Sequence, residues 1–296
     1  MIAVPRRFDA RDYAVVVAIN LVWGLNIIIA KLSLQMVPPF TTGLLRQAIV
    51  LLVCLPFLRV VPGRMRLLLL LGMVSGGLFF VMVNLSLVFS DNVGALAIAG
   101  QLGAPFSLIL AIIFLKERIG PTRIVGMALA MGGCAILVFD PGIASEWRGL
   151  LLTVGASMAW AVGSLIQRKL VGVPVLTIYA WFGLGGMIVL APLALIIEPA
   201  TMTGLNAIPP KAFGLIAISA IGSTLMGQGG MAWLLQRHAV SAVVPMTLGA
   251  PVIAVIASSI VFAMPLTPVM IMGGAVAMAG VAIVTIRTAS KAEHIQ

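Results

Sequence analysis

The chain has 296 residues, of which 61% are hydrophobic and only 9% charged, and its mean hydropathy is +1.19. A soluble domain carries roughly a quarter charged residues, so this composition excludes a water-soluble core and points to a polytopic membrane protein. The formal net charge of +10 would suggest nucleic acid if the basic residues formed one patch, but they fall in small groups between apolar runs, which excludes that class as well.

Arg6, Arg7 and Arg11 precede an apolar run from about Tyr13 to Ala30. That run is too long for the core of a signal peptide and continues into a span pattern, so it reads as an uncleaved first span. A hydrocarbon core of about 30 Å needs roughly 20 mostly apolar helical residues. On that measure the spans are expected at 12–33, 40–60, 67–89, 93–115, 121–139, 148–169, 174–197, 211–235, 240–263 and 268–287. The fold class is therefore all-α with ten transmembrane helices, since backbone groups in lipid must satisfy one another and these runs lack the alternation of a β-barrel. Pro38-Pro39, Pro62-Gly63, Pro141-Gly142 and Pro209-Pro210 punctuate the connections. Cys54 and Cys134 lie inside apolar runs and read as small fillers rather than a disulfide.

The basic residues set the expected orientation. With the N-terminus inside, fourteen of the eighteen Lys and Arg fall on the inner side; Lys31, Arg46, Arg148 and Lys211 fall on the other. Both termini are expected in the cytoplasm.

An internal repeat organises the chain. Leu102-Gly103-Ala104-Pro105 in the fourth run returns as Leu248-Gly249-Ala250-Pro251 in the ninth, 146 residues on. Downstream of each copy lies a small-residue run, Gly126 to Gly133 and Gly273 to Gly280. Trp23 and Trp160 hold similar places in the first and sixth spans. Two repeats of five helices, residues 1–143 and 144–296, would enter the membrane from opposite faces because five is odd. Inverted repeats with interrupted helices mark transporters whose substrate site lies near the midplane.

Trp23-Gly24, the Lys116-Glu117-Arg118 end of the fourth span, and the Gly126 and Gly132-Gly133 helix with its second-half partner resemble the EamA-type members of the drug/metabolite transporter superfamily. Within it the chain looks most like the YddG-type exporters of aromatic and other neutral amino acids. The resemblance implies an inner-membrane exporter working by alternating access; two fused half-repeats should suffice as a monomer, and no cofactor or metal is expected. One departure stands out: many members close the ninth helix with a second Glu, where this chain reads Phe262-Ala263-Met264-Pro265.

Several residues suit a central polar cavity. Pro105 and Pro251 cannot donate to the carbonyls of Gln101 and Thr247, so each LGAP helix is expected to kink beside a freed carbonyl. Ser157, Trp160, Ser164 and Gln167 form a polar stripe at helical spacing in the sixth span. Asn20, Trp23 and Asn26 in the first span, Asn84 in the third and Gln228 in the eighth add uncharged hydrogen-bonding groups, although such residues often only tie helices together. Trp23, Trp160 and Trp181 offer stacking surfaces, while Trp147 and Trp233 suit the interfacial belt.

The expected substrate-binding set is thus Trp23, Asn26, Asn84, Gln101, Trp160, Ser164, Trp181, Gln228 and Thr247, with no catalytic residues. Lys31 and Arg46 are expected near outer helix ends, snorkelling to the interface, with attraction of a substrate carboxylate as the alternative. With no Asp or Glu in mid-span, transport is expected to need no dedicated protonatable residue and to run down the substrate's own gradient. No midplane Lys or Arg is evident for a strongly anionic substrate. A zwitterionic amino acid or related metabolite fits best, with lipophilic-cation efflux as the alternative; a channel and a scaffold are the other non-enzymatic readings. Two peripheral His and no mid-span acid leave nothing from which to assemble an intramembrane hydrolase.

Overall fold

The computed structural model describes residues 8–116, 120–138, 140, 145–235, 237–238, 243 and 246–293. Among them the regular elements are helices and no strands. We label the main ones α1 (Ala10–Leu34), α2 (Pro39–Cys54), α3 (Met65–Phe89), α4 (Val93–Phe114), α5 (Pro121–Val138), α6 (Trp147–Arg168), α7 (Val175–Ile197), α8 (Pro210–Met231), α9 (Gly249–Phe262) and α10 (Pro268–Glu293). Seven of these, α1–α4 and α6–α8, are long and apolar enough to cross a membrane, and α5, α9 and the first part of α10 are shorter apolar helices. Part of the expected ninth span, Glu117-Arg118 and Pro141-Gly142 lie outside the described residues.

The helix starts follow local chemistry. Asp9 caps α1 through a capping box with Asp12, and Asn92 caps α4 by accepting from the Ala95 N–H at 2.9 Å. Proline at its first position starts α2, which has no cap of its own; Glu198 reaches over from the end of α7 and accepts from the N–H groups of Phe40 (2.9 Å) and Thr41 (2.7 Å). A carboxylate there also complements the positive end of the helix dipole.

Two features go beyond the hydropathy pattern. α3 and α8, the third helices of the two halves, each contain a π-helical segment, Gly72–Leu78 and Ser219–Gly227. α4 and α9 each end in a left-handed residue, Lys116 and Ala263, both at φ +53°.

Glycine sets the closest helix contacts. Along α5 and α10 the approach is reciprocal: a Cβ at Gly126 would meet the Gly280 carbonyl at 3.0 Å, and one at Gly273 the Gly133 carbonyl at 2.8 Å. On α3, a Cβ at Gly72 would lie 2.9 Å from the Gly185 Cα of α7. Small residues let backbones approach in lipid, where packing rather than water drives association. Cys54 and Cys134 are both buried and free.

The cross-half contacts come in matching pairs. α1 packs on α8 and α9, while α6 packs on α3 and α4; α2 pairs with α7 and α5 with α10. Replacing each helix by the one five places on returns the same list.

Candidate substrate cavity

Between the halves lies a cavity of about 710 Å³, within the range typical of small-molecule sites. Its wall takes residues from nine of the ten labelled helices, all except α5. Eight of the nine residues expected to bind substrate line it: Trp23, Asn26, Asn84, Gln101, Trp160, Ser164, Gln228 and Thr247. The whole α6 stripe of Ser157, Trp160, Ser164 and Gln167 faces it too.

Trp181 does not. Its indole N–H donates to the Arg59 carbonyl at 2.8 Å, in the connection between α2 and α3, and its body packs with the cluster around Leu68 and Leu170. Three apparently similar tryptophans therefore have different environments. Trp23 lines the cavity but is anchored, its N–H donating to the Ser223 carbonyl in the α8 π-segment at 3.1 Å. Trp160 is 48% exposed and lies against Gly103 on α4, and its indole N–H meets no acceptor among the described residues.

The proline expectation needs refinement. Ahead of Pro105, α4 tightens into a 3-10 turn over Gly100–Leu102. The Gly100 carbonyl accepts from the Ser157 hydroxyl of α6 at 3.3 Å. Ahead of Pro251, the Thr247 carbonyl is not free: the Ala250 N–H takes it at 3.2 Å. The Met246 carbonyl accepts from Asn20 Nδ2 of α1 at 2.8 Å. Ser157 follows Asn20 by 137 residues, the separation of the two tryptophans, and Met246 follows Gly100 by 146, the separation of the two LGAP stretches. The same bond is made twice, each time across the halves. Pro251 lines the cavity; Pro105 is buried beside it.

Arg46 is not at an outer helix end. It sits midway along α2, only 7% exposed, on the cavity wall, and does not snorkel. Its Nη1 donates to the Ser219 hydroxyl and approaches Asn26 Oδ1 at 3.5 Å, while Nη2 donates to Thr224 Oγ1 at 3.2 Å. The guanidinium carbon lies 4.7 Å from the centre of the Phe80 ring, within cation–π range. Phe80, Tyr179 and Phe182 meet edge-on nearby and line the same cavity. The signal for Arg46 was in the sequence: an ionisable residue inside an apolar run is a functional candidate by default. Lys31 does not snorkel either; its ammonium is tied to the carbonyls of Leu87 (2.6 Å) and Ser90 (2.8 Å) and to Asp91 (3.1 Å).

The lining contains no Asp or Glu among the described residues, and these include no cluster of His, Cys, Asp or Glu suited to a metal. Among its described residues the wall offers hydrogen bonds, stacking and the positive charge of Arg46, groups suited to binding a small molecule.

The model of the EamA-like transporter family matches this chain twice, over residues 12–139 and 147–286. The chain belongs to the EamA-like transporter family. Similar proteins include a probable amino-acid metabolite efflux pump of Escherichia coli (strain K12), 26% identical over 278 residues that cover 91% of this chain and 93% of the relative. The pump of that description from Salmonella typhimurium is 24% identical with the same coverage, and an uncharacterized transporter of Archaeoglobus fulgidus is 26% identical over 267 residues, 88% of this chain and 94% of the relative. A crystal structure at 18% identity superposes with a TM-score of 0.63 over 97% of this chain and 100% of its own, a likeness of fold. This EamA-family chain is a multi-pass membrane transporter of small molecules, not an enzyme.

Proposed function

We propose that this transporter exports neutral amino acids, aromatic and other hydrophobic ones, with similar small metabolites, across the inner membrane by alternating access. The single observation that carries the reading is the cavity: a wall drawn from both halves, with uncharged hydrogen-bonding groups at Asn26, Gln101 and Gln228, aromatic surface at Trp160 and Phe182, and one cation. The efflux-pump relatives support the direction and the substrate class.

In this reading residues 1–143 and 144–296 are two five-helix repeats inserted upside down relative to each other. Ten spans leave both termini in the cytoplasm, and the two fused repeats suffice as a monomer. The paired Asn20 and Ser157 bonds and the matched helix contacts support that arrangement. Lipophilic-cation efflux fits less well, because Arg46 gives the cavity the wrong sign of charge. With no acid on the described lining, export runs down the substrate's own gradient.

Counterflow of labelled phenylalanine or leucine into proteoliposomes, competed by aromatic, aliphatic and charged amino acids, tests the substrate class. The reading requires saturable exchange, with neutral hydrophobic amino acids the best competitors. Absence of exchange for every neutral amino acid would overturn it. Imposing a pH gradient checks the energetics: exchange should persist without one, and strict dependence on it would refute the facilitated mode.

A further inference from the structure

Arg46 is a buried cation with no counter-ion among the described residues. A guanidinium stays protonated in proteins, and an isolated charge removed from water is costly unless it is paired. Here every oxygen that meets it is neutral: the hydroxyls of Ser219 and Thr224 and the amide oxygen of Asn26. Among the described residues no carboxylate pairs with it, and its Nε is buried with no hydrogen-bond partner. Lys31 is tied to Asp91 and two carbonyls, and the buried Asp12 is paired with His238 at 2.8 Å. Arg46 has no such ionic partner among the described residues, and it stands on the cavity wall.

We infer that Arg46 is the carboxylate-recognition residue of the cavity, and that the protein therefore selects monocarboxylates with an apolar or aromatic side chain whether or not they carry an ammonium group. This rests on the reading of the cavity as the transport site. The guanidinium presents a planar fork of donors that matches a carboxylate, and a bidentate ion pair adds the attraction of a second charge to the single-charge bonds it now makes. An arriving carboxylate supplies the missing negative charge in a low-dielectric wall, where pairing is worth more than in water. Phe80, beside the guanidinium, and Phe182 and Tyr179 beyond it give the adjoining apolar surface for the side chain. For an ammonium group the described wall offers only neutral acceptors such as the amide oxygens of Asn26 and Gln228. The carboxylate is thus the charge the site demands, and the ammonium is one it tolerates.

The test compares phenylalanine, N-acetylphenylalanine and phenylalaninamide as competitors of labelled phenylalanine counterflow by the wild-type protein. It adds direct binding of phenylpropionate and phenethylamine, read by tryptophan fluorescence and thermal shift of the purified protein. N-acetylphenylalanine should compete within about threefold of phenylalanine, and the amide should be weaker by at least about tenfold, as expected for a lost charge-assisted bond. Arg46→Gln should lose at least about tenfold in carboxylate binding, with Arg46→Lys in between because it keeps the charge but not the fork. If Arg46→Gln fails to fold, the ligand series on the wild type still decides. Equal competition by the amide, or phenethylamine binding as tightly as phenylpropionate, would overturn the inference while leaving amino-acid export standing. Binding of phenylpropionate with no amino-acid exchange would do the reverse.

Discussion

At the scale of single residues, the two halves use the same side chains with unequal engagement. Trp23 is held by the Ser223 carbonyl, whereas Trp160 stands half-exposed in the cavity. Trp23→Phe should therefore lower thermal stability by roughly 0.5–1.5 kcal/mol, the worth of one net hydrogen bond, while Trp160→Phe should leave stability nearly unchanged. Unfolding of the two variants in detergent gives the comparison, and equal losses would contradict the assignment. Asn20→Ala and Ser157→Ala remove the two equivalent cross-half bonds; each should cost on the order of 0.5–2 kcal/mol. The polar residues of the cavity were legible because lipid does not favour Asn, Gln or a helical stripe of Ser and Trp. Trp181 was not, since composition says nothing about whether a membrane indole finds a backbone carbonyl at a helix connection. Arg46 was visible as a charge in an apolar run but misplaced in depth. The α-helix ends at Cys54, short of the expected 60, which puts the arginine at its middle.

At the scale of helices, small residues decide which pairs sit closest. Gly280 of α10 faces Gly126 and Ala130 of α5, and Gly72 of α3 faces Gly185 of α7. Gly280→Leu or Gly72→Leu should destabilise the protein by roughly 1–3 kcal/mol through overpacking. Gly229→Ala, where an added Cβ meets nothing within 4 Å, should leave it unaffected. Thermal unfolding of the three variants in one detergent checks this, and a comparable loss at Gly229 would argue against packing as the cause. Hydropathy located most of the helices because spans are long and apolar, and the glycine runs disclosed close contacts. The π-segments of α3 and α8 escaped, because the register of backbone bonds leaves no trace in an apolar pattern. Yet they carry Ser75 on one side and Ser219, Ser223 and Thr224 on the other into the cavity wall.

At the scale of the whole molecule, the repeat was readable from LGAP and the paired tryptophans, and it led directly to the family. What it could not give was which helices cross between halves. That depends on contacts such as α1 with α9 and α6 with α4, whose residues lie far apart in sequence. In the proposed transport cycle, the cavity enclosed by these crossings is the path the substrate takes. Single cysteines in place of Gln101 and Gln228, one from each half, test it in a background lacking Cys54 and Cys134, using a membrane-impermeant thiol reagent. Both positions should label, and phenylalanine or leucine should slow labelling of both. Labelling that neither amino acid alters at either position would contradict it.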